Sequence, residues 1–204
     1  MQSTTPPAWF ARLPPFPPRP ERSVVIVDSQ AMSYRLLDGR RTPDYDFLFE
    51  DPRVVIQIGR RVIQETLRSV GVEDTGIERD ARGNPIRVSP EVLRPGLPGP
   101  LNQRMWQQQA RLQALGKLVL VGAMLPAQAI VYQQLARRIE ATCGRNMEPR
   151  DAEVLADALV RRIPLFCDDN ACRRAFANGL ASEALNMELR AAGLDGFAAT
   201  LFVP

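Results

Sequence analysis

Asp28 follows the run Ser23-Val24-Val25-Ile26-Val27, and Asp168 and Asp169 follow Ile163-Pro164-Leu165-Phe166-Cys167. Short apolar runs rich in β-branched residues read as strands buried on both faces of a parallel sheet. In open parallel sheets, sites form beyond the carboxyl ends of the strands. Acids at two such ends can therefore meet at one edge. Like charges that close repel one another, and a cation between them offsets the cost. Oxygen-only donors suit Mg²⁺ or Mn²⁺. Asp151 joins this set. It lies in the first turn of a helix that begins near Pro149, on one face with Leu155 and Ala158. The plain alternative for Asp151 is a first-turn aspartate favoured by the helix dipole.

The chain has no histidine. That excludes Ser-His-Asp and Cys-His catalysis and any nuclease that relies on a histidine base. Cys143, Cys167 and Cys172 are odd in number and form no C-x-x-C pair. They read as reduced thiols in or near the core of a cytoplasmic protein, not as a zinc site. Acids are then the expected catalysts. Lys117 is the sole lysine among 26 basic residues, so nearly all the positive charge is arginine. Arginine pairs well with phosphate, although a GC-rich coding bias gives the same composition. The net charge of +3 is compatible with a polyanionic partner without requiring one.

These acids need a scaffold. With 45% hydrophobic and 24% charged residues, the 204-residue chain has enough apolar material for one core. No apolar run approaches the roughly 20 residues of a membrane helix, and the amino-terminal residues do not resemble a secretory signal. Residues 1–22 carry seven prolines and read as a proline-rich tail or linker ahead of a domain spanning 23–204. Within the domain, Ser29–Leu37 is a helix candidate and Arg40–Pro52 reads as a loop. Val54–Ile58 is a strand and Arg60–Val70 a helix ended by Gly71. Residues 72–104, rich in Pro and Gly, read as an irregular insertion outside the sheet. Met105–Leu115 is a helix, and Lys117–Val121 a strand or a buried helical turn. Pro126–Cys143 is a long helix with Ile130, Leu135 and Ile139 inward, and Arg150–Arg161 a helix opened by Pro149. Ile163–Cys167 is a strand and Ala171–Ala177 a helix. The alternation argues for an α/β fold with a parallel sheet.

The order of the acidic blocks resembles the PIN-domain family. Ser23-Val24-Val25-Ile26-Val27-Asp28 is similar to that family's first strand and first catalytic aspartate. Val54–Ile58 and then Val62-Ile63-Gln64-Glu65-Thr66-Leu67 are similar to its second strand and glutamate-bearing helix. Asp151-Ala152-Glu153-Val154-Leu155-Ala156-Asp157-Ala158-Leu159 resembles the helix of the third acid. Ile163–Asp169 resembles the final strand and its acid, with Cys167 where the family usually has threonine and Asp169 as the fourth acid. The resemblance spans roughly residues 23–178. It implies a parallel-sheet, PIN-like α/β sandwich with helices on both faces, and a ribonuclease using Mg²⁺ or Mn²⁺. Asp28, Glu65, Asp151 and Asp169 are then the catalytic acids. Asp28, Asp151, Asp169 and Asp168 are metal ligands, and Glu153 is a reserve.

Two departures stand out. The interval from Glu65 to Asp151 is long for the family, and Glu65 sits on a polar helix face with Arg61 and Arg68, where a solvated ion pair would also place it. Arg60, Arg61, Arg173 and Arg174 are candidate contacts to the RNA backbone, each equally readable as a solvated arginine. The resemblance further implies a cognate antitoxin or immunity protein as partner, and is compatible with a homodimer. Three alternatives stay open. One is a phosphatase with a nucleophilic strand-end aspartate, against which Gln30 stands where a second aspartate is wanted. Another is an inactive PIN-like scaffold binding RNA or protein. The third is an effector nuclease released from a larger secreted toxin and acting on RNA or DNA.

Overall fold

The computed structural model describes residues 5–17, 19–36, 42–59, 62, 66, 100–144 and 147–203, and leaves out the side chains of 33–36 and 100–105. Pro15–Phe16 (β1) pairs antiparallel with Arg19–Val27 (β2), and β2 is the strand around which the sheet is built. Helix α1 (Ser29–Leu36) follows at once, then α2 (Pro43–Glu50) and β3 (Val54–Ile58). Next come α3 (Pro100–Ala114), β4 (Leu118–Leu120), α4 (Pro126–Cys143) and α5 (Pro149–Arg161). The chain closes with β5 (Leu165–Phe166), α6 (Asn170–Gly179), α7 (Glu183–Ala191), α8 (Asp195–Ala198) and β6 (Phe202–Val203).

The main sheet runs β4-β3-β2-β5-β6, with every neighbouring pair parallel. Register follows from matched apolar residues: Val24 lies beside Val55, Ile26 beside Leu165, Ile56 beside Leu118 and Leu165 beside Phe202. From β2 the chain steps outward to β3 and β4, then crosses back to β5 and β6 on the other side of β2. Strand order therefore reverses between β2 and β5, which is where open α/β sheets place their sites.

Alternate residues of β2 feed two cores. Val25 and Val27 pack with Trp9, Met32, Tyr45, Phe47 and Leu48 on one face. Ile26 packs with Leu135, Ile139, Leu155, Leu159 and Leu165 on the other. Each fully buried side chain of this size contributes about 1.5–3 kcal/mol. Helices cover both faces, so the expected α/β sandwich is the fold observed. No helix among the described residues is long and apolar enough to cross a membrane.

Four expectations need correction. The proline-rich segment does not behave as a loose tail. Trp9 and Leu13 are buried in the first core, with the Trp9 ring edge-on to Phe47 and Phe166 at 5.6 and 6.0 Å. Trp9 Nε1 donates to Asp44 Oδ1 at 2.7 Å, and Arg12 Nη2 donates to the carbonyl oxygens of Thr200 and Phe202. Strand β2 also starts at Arg19, ahead of the expected domain boundary. Second, Arg40–Pro52 is not a loop throughout. Thr42 caps α2 through its hydroxyl, which accepts from Tyr45 N–H, and Pro43 occupies the first turn, where its missing N–H costs nothing. Third, Ile130 is 60% exposed. The inward stripe of α4 is Leu135, Ile139 and Cys143, and its upstream continuation is Val131, one residue further round the helix. Fourth, α3 begins at Pro100, so the end of the 72–104 stretch is helical; residues 72–99 lie outside the described residues.

Candidate active site

Where β2 and β5 end side by side, the sheet delivers Asp28, Asp168 and Asp169 to one place. Val27 pairs with Phe166 as the last rung, and Asp28 N–H donates to Phe166 O at 3.1 Å. One residue further on, Asp28 Oδ2 accepts from Asp168 N–H at 3.2 Å. Asp28 Oδ1 accepts from Ala31 N–H at 2.6 Å, which makes the side chain the cap of α1. Asp169 plays the same part for α6, with Oδ1 accepting from Ala171 and Cys172 N–H at 2.7 and 3.1 Å. Asp168 turns to the opposite face, where Tyr45 Oη donates to its Oδ2 at 2.9 Å. Tyr45 is itself buried and edge-on to Phe166 at 5.4 Å.

The charge state of Asp28 is unusual. Burial pushes its carboxyl from 3.8 up to about 6, and the neighbouring Asp169 charge adds to the rise. The Cys167 thiol and the N–H groups of Ala31 and Asp168 pull the other way and do not win. Asp51 shows the contrast: two Arg53 N–H bonds to its carboxylate, at 2.9 and 2.7 Å, hold its pKa below 3.8. Cys167, at the position where the PIN pattern has threonine, keeps its proton. Contact with Cys172, burial and the Asp28 charge all push its thiol up. All three cysteines are free and buried, as expected.

The other expected site residues divide. Asp151 is half-buried at the start of α5, and its Oδ2 accepts from Glu148 N–H at 3.3 Å, so the helix-capping role is present. Leu155 and Ala158 on its face are fully buried, as the spacing predicts. Arg173 lies over the Phe202 ring at 5.5 Å, away from a solvated rim role, whereas Arg174 is exposed in the second turn of α6. Glu65, Arg60 and Arg61 lie outside the described residues. Among the described residues, no three Asp, Glu, His or Cys side chains converge closely enough to hold one ion.

A second feature was not singled out from the sequence. A cavity of about 200 Å³ opens beside the carboxyl ends of β2, β3 and β4, lined by Ile26, Gly59, Val62, Val121, Tyr132, Glu153, Val154 and Asp157. Asp157 Oδ1 accepts from Arg161 Nε at 2.7 Å, yet burial still raises its pKa. Arg161 Nη2 also donates to Gly122 O at 2.8 Å, which ties α5 to the end of β4. The signal available in the sequence was the spacing Glu153, Asp157, Arg161, four residues apart on one face of a helix. No protein-family model, curated protein or solved structure matches the chain.

Proposed function

We propose that this chain is a PIN-like, divalent-metal-dependent endoribonuclease that hydrolyses RNA phosphodiester bonds. The observation that carries the reading is the placement of Asp28 against the end of β5, where it accepts from Asp168 N–H and feels the Asp169 charge, at the point where strand order reverses. A carboxylate there with its pKa raised by burial marks a functional candidate. The donors are all oxygens, which suits Mg²⁺ or Mn²⁺. Each carboxylate oxygen that accepts one hydrogen bond keeps a further lone pair, so capping and ligation are compatible. In this reading Asp28, Asp169 and Asp151 are the ligands with Asp168 in support, and Glu65 orients the attacking water, which needs these acids to draw closer than the described ones stand. A bound ion supplies an activated water and neutralises charge on the scissile phosphate. The chain's own residues hold the acids in place. Ala31 and Asp168 N–H groups fix the Asp28 carboxylate, and Tyr45 fixes Asp168. Arg174, exposed on α6 with its Nε on Asn170 O, would contact the RNA backbone.

The biology that fits is a cytoplasmic toxin with a cognate antitoxin or immunity protein, able to act as a homodimer. The deciding experiment incubates the purified protein with total RNA and with DNA, with and without Mn²⁺. Mn²⁺-dependent RNA cleavage that Asp28→Asn abolishes supports the reading, and RNA left intact by the wild type overturns it. A non-catalytic scaffold that binds RNA or protein is the second reading, favoured by the absence of a three-donor group among the described residues. It requires RNA or protein binding that survives Asp28→Asn without cleavage.

A further inference from the structure

We propose that the cavity at the ends of β2, β3 and β4 is a nucleobase subsite selective for guanine; this rests on the ribonuclease reading. Its volume of about 200 Å³ is several times the roughly 30 Å³ share of one water and below the about 300–1,000 Å³ of sites for larger ligands. One heterocyclic ring system suits that space. Ile26, Val62, Val121 and Val154 give it apolar walls, and Tyr132 adds an aromatic surface of the kind on which bases stack. Ile26 lies two residues before Asp28 on β2 and shares its side of the sheet. A base seated here therefore lies on the Asp28 side of the sheet.

The polar groups choose the base. Glu153 and Asp157 lie four residues apart on one face of α5 and both line the cavity. Carboxylates accept hydrogen bonds and repel carbonyl oxygens. Guanine offers adjacent ring N–H and amino donors along its Watson–Crick edge. Uracil offers one N–H flanked by two carbonyl oxygens, and adenine and cytosine pair their amino group with a bare ring nitrogen. Arg161 holds Asp157 in position through Oδ1, so the acceptor is fixed before any base arrives. Gly59 completes the wall. A Cβ there would meet nothing within 4 Å, so a larger side chain can be accommodated at this lining position and would narrow the cavity if it turns inward.

The test uses the full chain and four probes: the 5′-monophosphates of guanosine, adenosine, cytidine and uridine, titrated without metal. Guanosine monophosphate is expected to bind at least about tenfold more tightly than the uridine nucleotide. Asp157→Asn should weaken guanosine monophosphate about tenfold or more. Gly59→Leu should remove its binding, and its melting temperature should stay at the wild-type value. On a mixed-sequence RNA with Mn²⁺, the wild type should cut beside guanosine, and Gly59→Leu should lose that preference. Equal binding of all four nucleotides, or no binding of any, overturns the subsite. So does guanosine monophosphate affinity unchanged in Gly59→Leu. Cleavage without base preference refutes the subsite and leaves the nuclease standing. Selective guanosine monophosphate binding with RNA uncut refutes the nuclease and retains the cavity as a nucleotide site.

Discussion

Replacing Asp28 by Asn separates a dehydrated catalytic acid from an ordinary helix cap. Raising a carboxyl from 3.8 to about 6 on folding costs at most about 3 kcal/mol of stability at neutral pH. The sign follows from proton counts. Between these two values the folded chain holds the proton that the unfolded chain has released, so this group's contribution to stability falls as pH rises through the window. Asn is neutral and escapes that cost. It caps as well as Asp, so the bond from Ala31 N–H survives. The amide NH₂, which cannot accept, must then face Asp168 N–H, and losing that bond costs about 1–1.5 kcal/mol. The net expectation for Asp28→Asn is a gain of about 1–2 kcal/mol at about pH 7 and a loss of about 1 kcal/mol at about pH 4. The two stability curves should cross in between. Urea unfolding with chelator at both pH values reads the difference, and RNA cleavage with Mn²⁺ on the same samples should be abolished. A mutant destabilised equally at both pH values refutes the reasoning, because burial of the charge would then not dominate the site.

Four further outcomes are expected. Trp9→Ala should cost about 3–5 kcal/mol, measured by urea unfolding, because it empties a ring-sized space against Phe47 and Phe166; a chain starting at Glu21 should be at least as unstable. Tyr45→Phe removes one hydroxyl, the donor to Asp168, and should lower kcat several-fold while costing only about 0.5–1.5 kcal/mol in thermal melting. Gly179→Ala would drive a methyl into Cys143 Sγ where α6 crosses α4, and a loss of about 1–3 kcal/mol is expected by chemical denaturation. Lys117 is buried with Nζ donating to Asp51 and Val54 carbonyl oxygens, and burial lowers its pKa from 10.5 to about 8. The unfolded chain holds the extra proton between those values, so this group's contribution to stability should rise across that window in wild type and not in Lys117→Met, as read by urea unfolding.

Much of the scaffold was legible because burial on two faces writes uninterrupted apolar runs. Val24–Val27 and Val54–Ile58 fall where the sequence placed them, and Pro126 and Pro149 mark their helix starts. That Asp28 lies against the Asp168 end of β5 followed from strand ends alone, whereas a convergence of three acids is not seen among the described residues. The amino-terminal segment was misread because its anchor is non-local: the place of Trp9 is set by Phe47, Phe166 and Asp44, which no local periodicity can encode. Helix α2 was hidden by two prolines read as breakers, when Thr42 and Pro43 form a start signal. Asp157 was passed over because a residue four before an arginine on a helix is usually a solvated ion pair. Here both side chains are about 15% exposed, and the carboxylate lines a cavity.

Asp28 and Asp51 show that the balance of burial against hydrogen bonding decides which way an aspartate beside a strand titrates in this fold. Both are aspartates next to strands of one sheet, and both accept backbone N–H bonds. Asp51 also has a guanidinium, and its carboxyl titrates below the ordinary value. Asp28 has two N–H donors and a thiol, and still titrates above it. The difference is that no described cation answers the charge of Asp28 while Asp169 adds to it. Such a site is destabilising in the metal-free protein. A divalent ion that binds there must therefore stabilise the fold in proportion to its occupancy. Mn²⁺ should accordingly raise the melting temperature of the wild type and leave that of Asp28→Asn unchanged. An equal rise in both would place the ion elsewhere and remove Asp28 from the metal site.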